Sequence, residues 1–182
     1  MFGRWFQKVK WKFHLEQHTV YQSHLRPDAN FLFLLHGKPV MIILQDGRIG
    51  ILKGYKWDGC TPKICIADIY FGTPDGSTHP ETGKPRTYYG SLFHDVLYEF
   101  YKAAQDINAL AMNLIYSLKD ADLIFLDINT IYDFLSRGIY YRAVRMIGRF
   151  TQLRKKPGRK ILVINQDDDL VREVFEDPYN IN

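Results

Sequence analysis

The stretch from Tyr88 to Lys102, YYGSLFHDVLYEFYK, limits the fold of this chain more than any other. Phe93, Val96, Leu97 and Phe100 recur at helical spacing, so the segment reads as one helix with a broad apolar face. At its middle stands a polar pair, His94-Asp95. Removing such groups from water costs several kcal/mol unless partners meet them. The rest of the chain therefore has to supply an apolar surface to cover the helix and polar groups to meet the pair.

The surface comes from the N-terminal half. Phe31–Leu35, Val40–Leu44 and Arg48–Lys53 are apolar, β-branched-rich runs separated by Gly37-Lys38-Pro39 and by Asp46-Gly47. Asp-Gly between two such runs signals a two-residue type I′ hairpin turn, in which both central residues need positive φ. Phe13 to Ser23 offers a further strand. The turn-forming segment Gly54–Pro62 follows, then a strand within Lys63–Phe71. Gly72–Thr87 reads as a long exposed loop, with His79 solvated at its middle. The pattern predicts an antiparallel β-meander packed against a C-terminal helical bundle, an α+β fold.

The period then turns helical. After Tyr88–Lys102 a separate helix is expected over Gln105–Tyr116. Ser117-Leu118-Lys119-Asp120 resembles a capped helix start, with an acid at the dipole-favoured end. That helix runs to about Leu135, and a last long helix spans Ile139–Leu153 with Tyr140, Val144 and Ile147 facing inward. Ile161–Ile164 reads as a short edge strand and Asp167–Glu176 as a short helix or tail. One domain over residues 1–153 is expected, with 154–182 as a C-terminal extension.

Charge is unevenly placed. Nine Lys or Arg and no acid lie between Arg137 and Lys160, and six acids with one Arg lie between Asp167 and Asp177. The two blocks can neutralise one another within the fold. Arg142, Arg145 and Arg149 form a basic helix face that nucleic acid would fit, but Pro157 and Gly158 interrupt the basic run and the acidic block competes with phosphate. The arm at residues 1–13, MFGRWFQKVKWKF, reads either as an amphipathic helix with Phe2, Trp5, Phe6, Val9 and Phe13 on one stripe, or as a strand from Lys10. Cys60 and Cys65 suffice for neither a disulfide framework nor a four-cysteine zinc site, which fits a reducing compartment. No apolar run has the ~18 residues of a membrane span, and a soluble protein made inside the cell is expected.

Four motifs occur in order: Gly54-Tyr55-Lys56-Trp57-Asp58-Gly59-Cys60-Thr61-Pro62, His94-Asp95-Val96-Leu97-Tyr98, Ala121-Asp122-Leu123-Ile124-Phe125, and Tyr141-Arg142-Ala143-Val144-Arg145-Met146-Ile147-Gly148. Together, over about Arg48–Arg149, the chain resembles a phage and prophage family known as domain of unknown function 1353. The long Gly72–Thr87 insertion and the segment after Arg149 depart from the family pattern. The resemblance implies a phage origin, with the protein in the host cytoplasm during infection or incorporated in the virion, and it supplies no mechanism.

Carried over position by position, it draws attention to Asp58, His94, Asp95 and Asp122. If the Asp58 turn packs over the helices, these four converge. Three carboxylates and an imidazole match the ligand set of one divalent metal ion, whose bound water would serve hydrolysis. Without a metal, His94 oriented by a carboxylate is a general base, with Asp58 and Asp95 as catalytic partners. Two functions follow as expectations: a phage accessory hydrolase, or a virion or assembly protein. In the second, the termini bind other phage proteins or a second copy, and the His/Asp cluster only holds the fold.

Overall fold

The computed structural model describes residues 13–59, 63–66, 69–72, 75–111, 115–151 and 157–181; the arm at 1–12 and Cys60 lie outside them. In chain order come β1 (Phe13–His14), β2 (Thr19–Gln22), β3 (Asn30–Leu35), β4 (Lys38–Ile43), β5 (Arg48–Ile51), β6 (Lys56–Trp57), β7 (Lys63–Ile66) and β8 (Ile69–Gly72). Helices α1 (Tyr88–Ala111), α2 (Leu118–Ile131) and α3 (Arg137–Thr151) follow, then β9 (Arg159–Ile164), α4 (Asp169–Glu176) and β10 (Tyr179–Ile181). The fold is α+β, with antiparallel strands in the N-terminal half and the four described helices in the C-terminal half.

The main sheet has six strands in the order β10-β2-β5-β4-β3-β9, antiparallel except for the β10–β2 pair. Strict alternation sends its side chains to two different covers. Phe31, Phe33, Met41, Ile43, Ile49 and Ile51 join Phe93, Val96, Leu97 and Phe100 of α1 in the main core. On the opposite face Ile42, Leu44 and Leu52 pack beneath Val171 and Val174 of α4. α4 lies so close to β5 that a Cβ on Gly50 would stand 2.6 Å from Val174 Cγ1. The sheet is thus sandwiched between α1 and α4.

The C-terminal segment departs from expectation. The sequence reads 154–182 as an extension, yet its described part, 157–181, provides both edge strands of the main sheet and the cover of one face. Ile161–Ile164 lies in the edge strand β9, as the sequence reads it, and α4 forms within Asp167–Glu176. The two helices expected over Tyr88–Lys102 and Gln105–Tyr116 are also one, because Ala103-Ala104-Gln105-Asp106 contains no breaker and α1 continues to Ala111. Lys63–Phe71, read as one strand, is the β7–β8 hairpin.

The turns are exchanged in kind. Asp46-Gly47 does join β4 to β5, but Leu44 N–H donates to Arg48 O and Gly47 N–H donates to Leu44 O, which leaves a three-residue loop with only Gly47 at positive φ, 90°. The type I′ signature lies one hairpin earlier. Leu35 pairs with Lys38, and His36 and Gly37 between them have φ of 50° and 80°. The described part of the long loop folds back on itself through the Thr78–Pro85 bridge and is tied to the end of α2 by Arg86 Nη1, which donates to Tyr132 O at 2.7 Å. His79 is half-buried: its ring meets the Tyr132 ring edge-on at 5.3 Å, and its Nδ1 is buried without a hydrogen-bond partner.

Candidate functional site

Packing on α1 places Asp58. Trp57, which precedes it in β6, is buried, and its Nε1 donates to Ser91 Oγ at 3.1 Å. Its ring packs between Phe13 and Tyr88. Ser91 lies one helical turn before Asp95, so anchoring Trp57 there sets the next residue over the His94-Asp95 turn. Gly59 completes the bend at φ 82°, where a side chain would strike Asp75 Oδ1 and Phe13 Cε2 at 2.5 and 2.8 Å. Asp58 stands close enough to Asp95 to bear on its carboxyl.

Asp122 arrives from the other side on α2. That helix starts at a capping box in which Asp120 N–H donates to Ser117 Oγ and Ser117 N–H donates to Asp120 Oδ2. Asp122 is fully buried and has three partners. His94 Nε2 lies 3.0 Å from Oδ1, the Tyr98 hydroxyl donates to Oδ1 at 2.7 Å, and Arg145 Nη1 of α3 donates to Oδ2 at 2.9 Å. His94 Nδ1 faces Asp95 Oδ1 at 3.6 Å, long for a hydrogen bond but within ion-pair reach. Asp58, Asp95, His94, Asp122 and Arg145 therefore form one line from the β6 turn through α1 and α2 to α3.

The line sets its own protonation. Burial works against an imidazolium at His94, but its contacts with Asp122 and Asp95 outweigh burial and raise its pKa above the ordinary range. Asp95 is pushed up to about 6, by burial first and by Asp58 besides, while His94 pulls the other way.

Of the four residues singled out in the sequence, the structure brings His94, Asp95 and Asp122 into contact and sets Asp58 near Asp95. Three further contributors went unassigned. Tyr98 shares the α1 face of His94 one turn on, a spacing visible in the motif. Tyr55 is buried near Asp95 and Asp58, and its pKa is raised by burial first and Asp95 next. Glu99, one turn after Asp95, makes an ion pair with Arg159 of β9 in which both side chains are mostly buried. Arg159 is concealed in the sequence as one more member of a basic run. The basic helix face is also altered: Arg142 is exposed, Arg145 is committed to Asp122, and the Arg149 side chain lies outside the described residues, as do Ile147 and Arg154 to Lys156.

As a donor set the cluster is largely committed. Both nitrogens of His94 face carboxylates and both oxygens of Asp122 accept hydrogen bonds, leaving Asp58 and Asp95 the free capacity. Among the described residues no group of three or more His, Cys, Asp or Glu side chains has the arrangement of a metal ligand set. What these groups can do as placed is hold and move a proton along the line. No helix among the described residues is long and apolar enough to cross a membrane. No family model, curated protein or solved structure matches this chain. Fold and site define an α+β protein with a His–Asp–Arg network capped by a carboxyl pair.

Proposed function

We propose that the protein is a hydrolase of general acid–base type, with the Asp58–Asp95 pair as its proton-exchanging end and His94–Asp122 as the device that orients and charges it. The supporting observation is the set of contacts that runs from Asp95 through His94 to a fully buried Asp122 fixed by Arg145, with Asp58 beside Asp95. Paired carboxyls sharing a proton supply an acid and a base at one place, one to activate water and the other to protonate a leaving group. The four-motif resemblance supports a phage or prophage setting. A divalent ion, if one serves this site, would be held by Asp58 and Asp95, whose oxygens are the least committed.

The test is a screen of the purified chain against chromogenic esters, phosphate esters, glycosides and peptides, with and without divalent ions. Hydrolysis of one class, reduced about 10²- to 10⁴-fold in Asp95→Asn and His94→Gln proteins of unchanged circular dichroism, is the expected result. Activity in no class, or activity indifferent to both substitutions, would remove the reading.

A second reading rests on Asp122, whose hydrogen bonds tie α1, α2 and α3 together. The network is then a clamp in a virion or assembly protein. Lower melting temperatures in both variants, with no hydrolysis and no bound metal in the parent, would favour it.

A further inference from the structure

α3 is attached differently from the other two long helices. α1 contributes Phe93, Val96, Leu97 and Phe100 to the main core, and α2 contributes Ala121, Ile124 and Ile128. None of residues 137–146 belongs to that core. Of these ten only Tyr140 and Val144 are buried, and they form a small separate cluster with Phe125 and Phe134. Ile139 and Met146, seven residues apart and so on one face of the helix, are exposed. Segments with few buried apolar contacts open at lower free energy than the body they rest on.

The same helix carries the cation of the buried network. Among the described residues, Arg145 makes the one ion pair from α3 to another helix, its Nη1 donating to Asp122 Oδ2 at 2.9 Å. The other two partners of Asp122, His94 and Tyr98, come from α1, and both meet Oδ1. Arg145 therefore holds the second oxygen by itself and fixes the rotation of the carboxylate that aims Oδ1 at His94. Phe125, which packs with Tyr140 and Val144, also meets the His94 ring at 5.4 Å. Undocking α3 would thus take a charge from a fully buried carboxylate and strip cover from Phe125 behind His94. A carboxylate left in the interior without its cation is strongly disfavoured and turns to incoming water.

We propose that α3 is a latch on the site, with Arg145 as its positioning residue. Docked, the helix holds Asp122 against His94 Nε2. It opens on its own, with α1, α2 and the main sheet intact, and Arg145 leaves with it. Opening then frees Asp122 to rotate away from His94 and switches the network off. The regulatory role rests on the hydrolase reading, whereas the opening of α3 does not.

Hydrogen exchange on the full chain in rising urea, kept below the unfolding transition, tests the opening. The amides of Ala143 to Met146 should exchange together, at least about tenfold faster than those of Val96 to Phe100. Their urea dependence should also be shallower, because undocking one helix exposes less surface than global unfolding. Amides of α3 that follow those of α1 on one steep line would overturn the proposal, and the parent alone decides this. Arg145→Gln should speed exchange in α3 about tenfold further and Arg145→Lys less, and equal rates in all three proteins would show that the ion pair is no latch. On a substrate that the parent hydrolyses, Arg145→Gln should lower kcat about tenfold or more with KM unmoved, since the Asp58–Asp95 end is intact. Arg145→Lys should recover part of that loss, and a kcat indifferent to Arg145 would overturn the positioning role. A parent that hydrolyses nothing would remove the hydrolase reading and the regulatory role with it, while exchange still decides whether α3 opens alone.

Discussion

Asp95 shows what the site asks of single residues. Its carboxyl, ordinarily near 3.8, is pushed up to about 6 in the fold. An acid with a raised folded pKa keeps its proton where the unfolded chain has lost it, so stability falls as pH climbs from about 4 to about 6, and the deficit is complete above that. Two units correspond to about 3 kcal/mol as an upper bound. His94 acts in the same direction. Its raised pKa contributes stability fully below 6.5, and this is lost as pH rises through the folded value. Asp95 and His94 together should therefore lower stability from pH 4 to 8, whereas His18, whose burial lowers its pKa, acts in the opposite sense and offsets part of the loss. Asp95→Asn should be more stable than the parent above pH 6, by up to about 3 kcal/mol, and equal to it near pH 4. Urea denaturation at pH 4, 6 and 8 measures this, and a parent that gains stability across that range would contradict it. His94 and Asp95 were legible in the sequence as a polar pair inside an apolar helix, and Asp58 and Asp122 only through the four-motif resemblance. Arg159 was not, since nothing local separates a buried, paired arginine from the solvated ones beside it.

Secondary-structure elements were legible where one periodicity governed them. Phe31–Leu35, Val40–Leu44 and Arg48–Lys53 gave up their strands as short apolar runs bounded by turn residues, and Tyr88–Lys102 its helix through the i, i+3, i+4 pattern. Turn type was less accessible, because Asp46-Gly47 and His36-Gly37 both tolerate positive φ and only strand register decides which hairpin takes the two-residue loop. The α4 face of the sheet was hidden for another reason. A glycine in the middle of Arg48–Ile51 looks like a weakness in a strand, whereas here it admits a helix. Gly50 faces Val174 and Phe175, and an added Cβ would stand 2.6 Å from Val174 Cγ1 and 2.9 Å from Phe175 Cζ. Gly50→Ala should accordingly destabilise by about 1–3 kcal/mol, the usual cost of overpacking, despite alanine's better backbone entropy. Chemical denaturation of the two proteins at neutral pH checks the sign. An alanine variant at least as stable as the parent would show that α4 can ride away from the sheet at no cost.

At the scale of the whole molecule, the chain closes on itself through its last twenty-five described residues. β9 extends the sheet beyond β3, α4 covers its second face, and β10 runs parallel to β2 at the far edge, with Tyr179 stacked on Tyr89 at 4.9 Å. Tyr89 belongs to the first turn of α1, so the C-terminus also braces the helix that carries His94 and Asp95. Ending the chain after Ile164 would remove α4 and β10 together. Ile42, Leu44 and Leu52 would lose their cover along with the buried contacts of Val171 and Val174. Burying side chains of this kind contributes about 1.5–3 kcal/mol each, against a total of about 5–15 kcal/mol for a typical domain. A loss shared by five such residues approaches the whole stability of the fold. We expect the 1–164 protein to lose its cooperative thermal transition and much of its solubility, although every residue of the Asp58–Asp122 line is still present. A truncated chain that melts cooperatively within a few degrees of the parent would instead make the C-terminal segment a removable cover, returning the fold to a domain ending near residue 153.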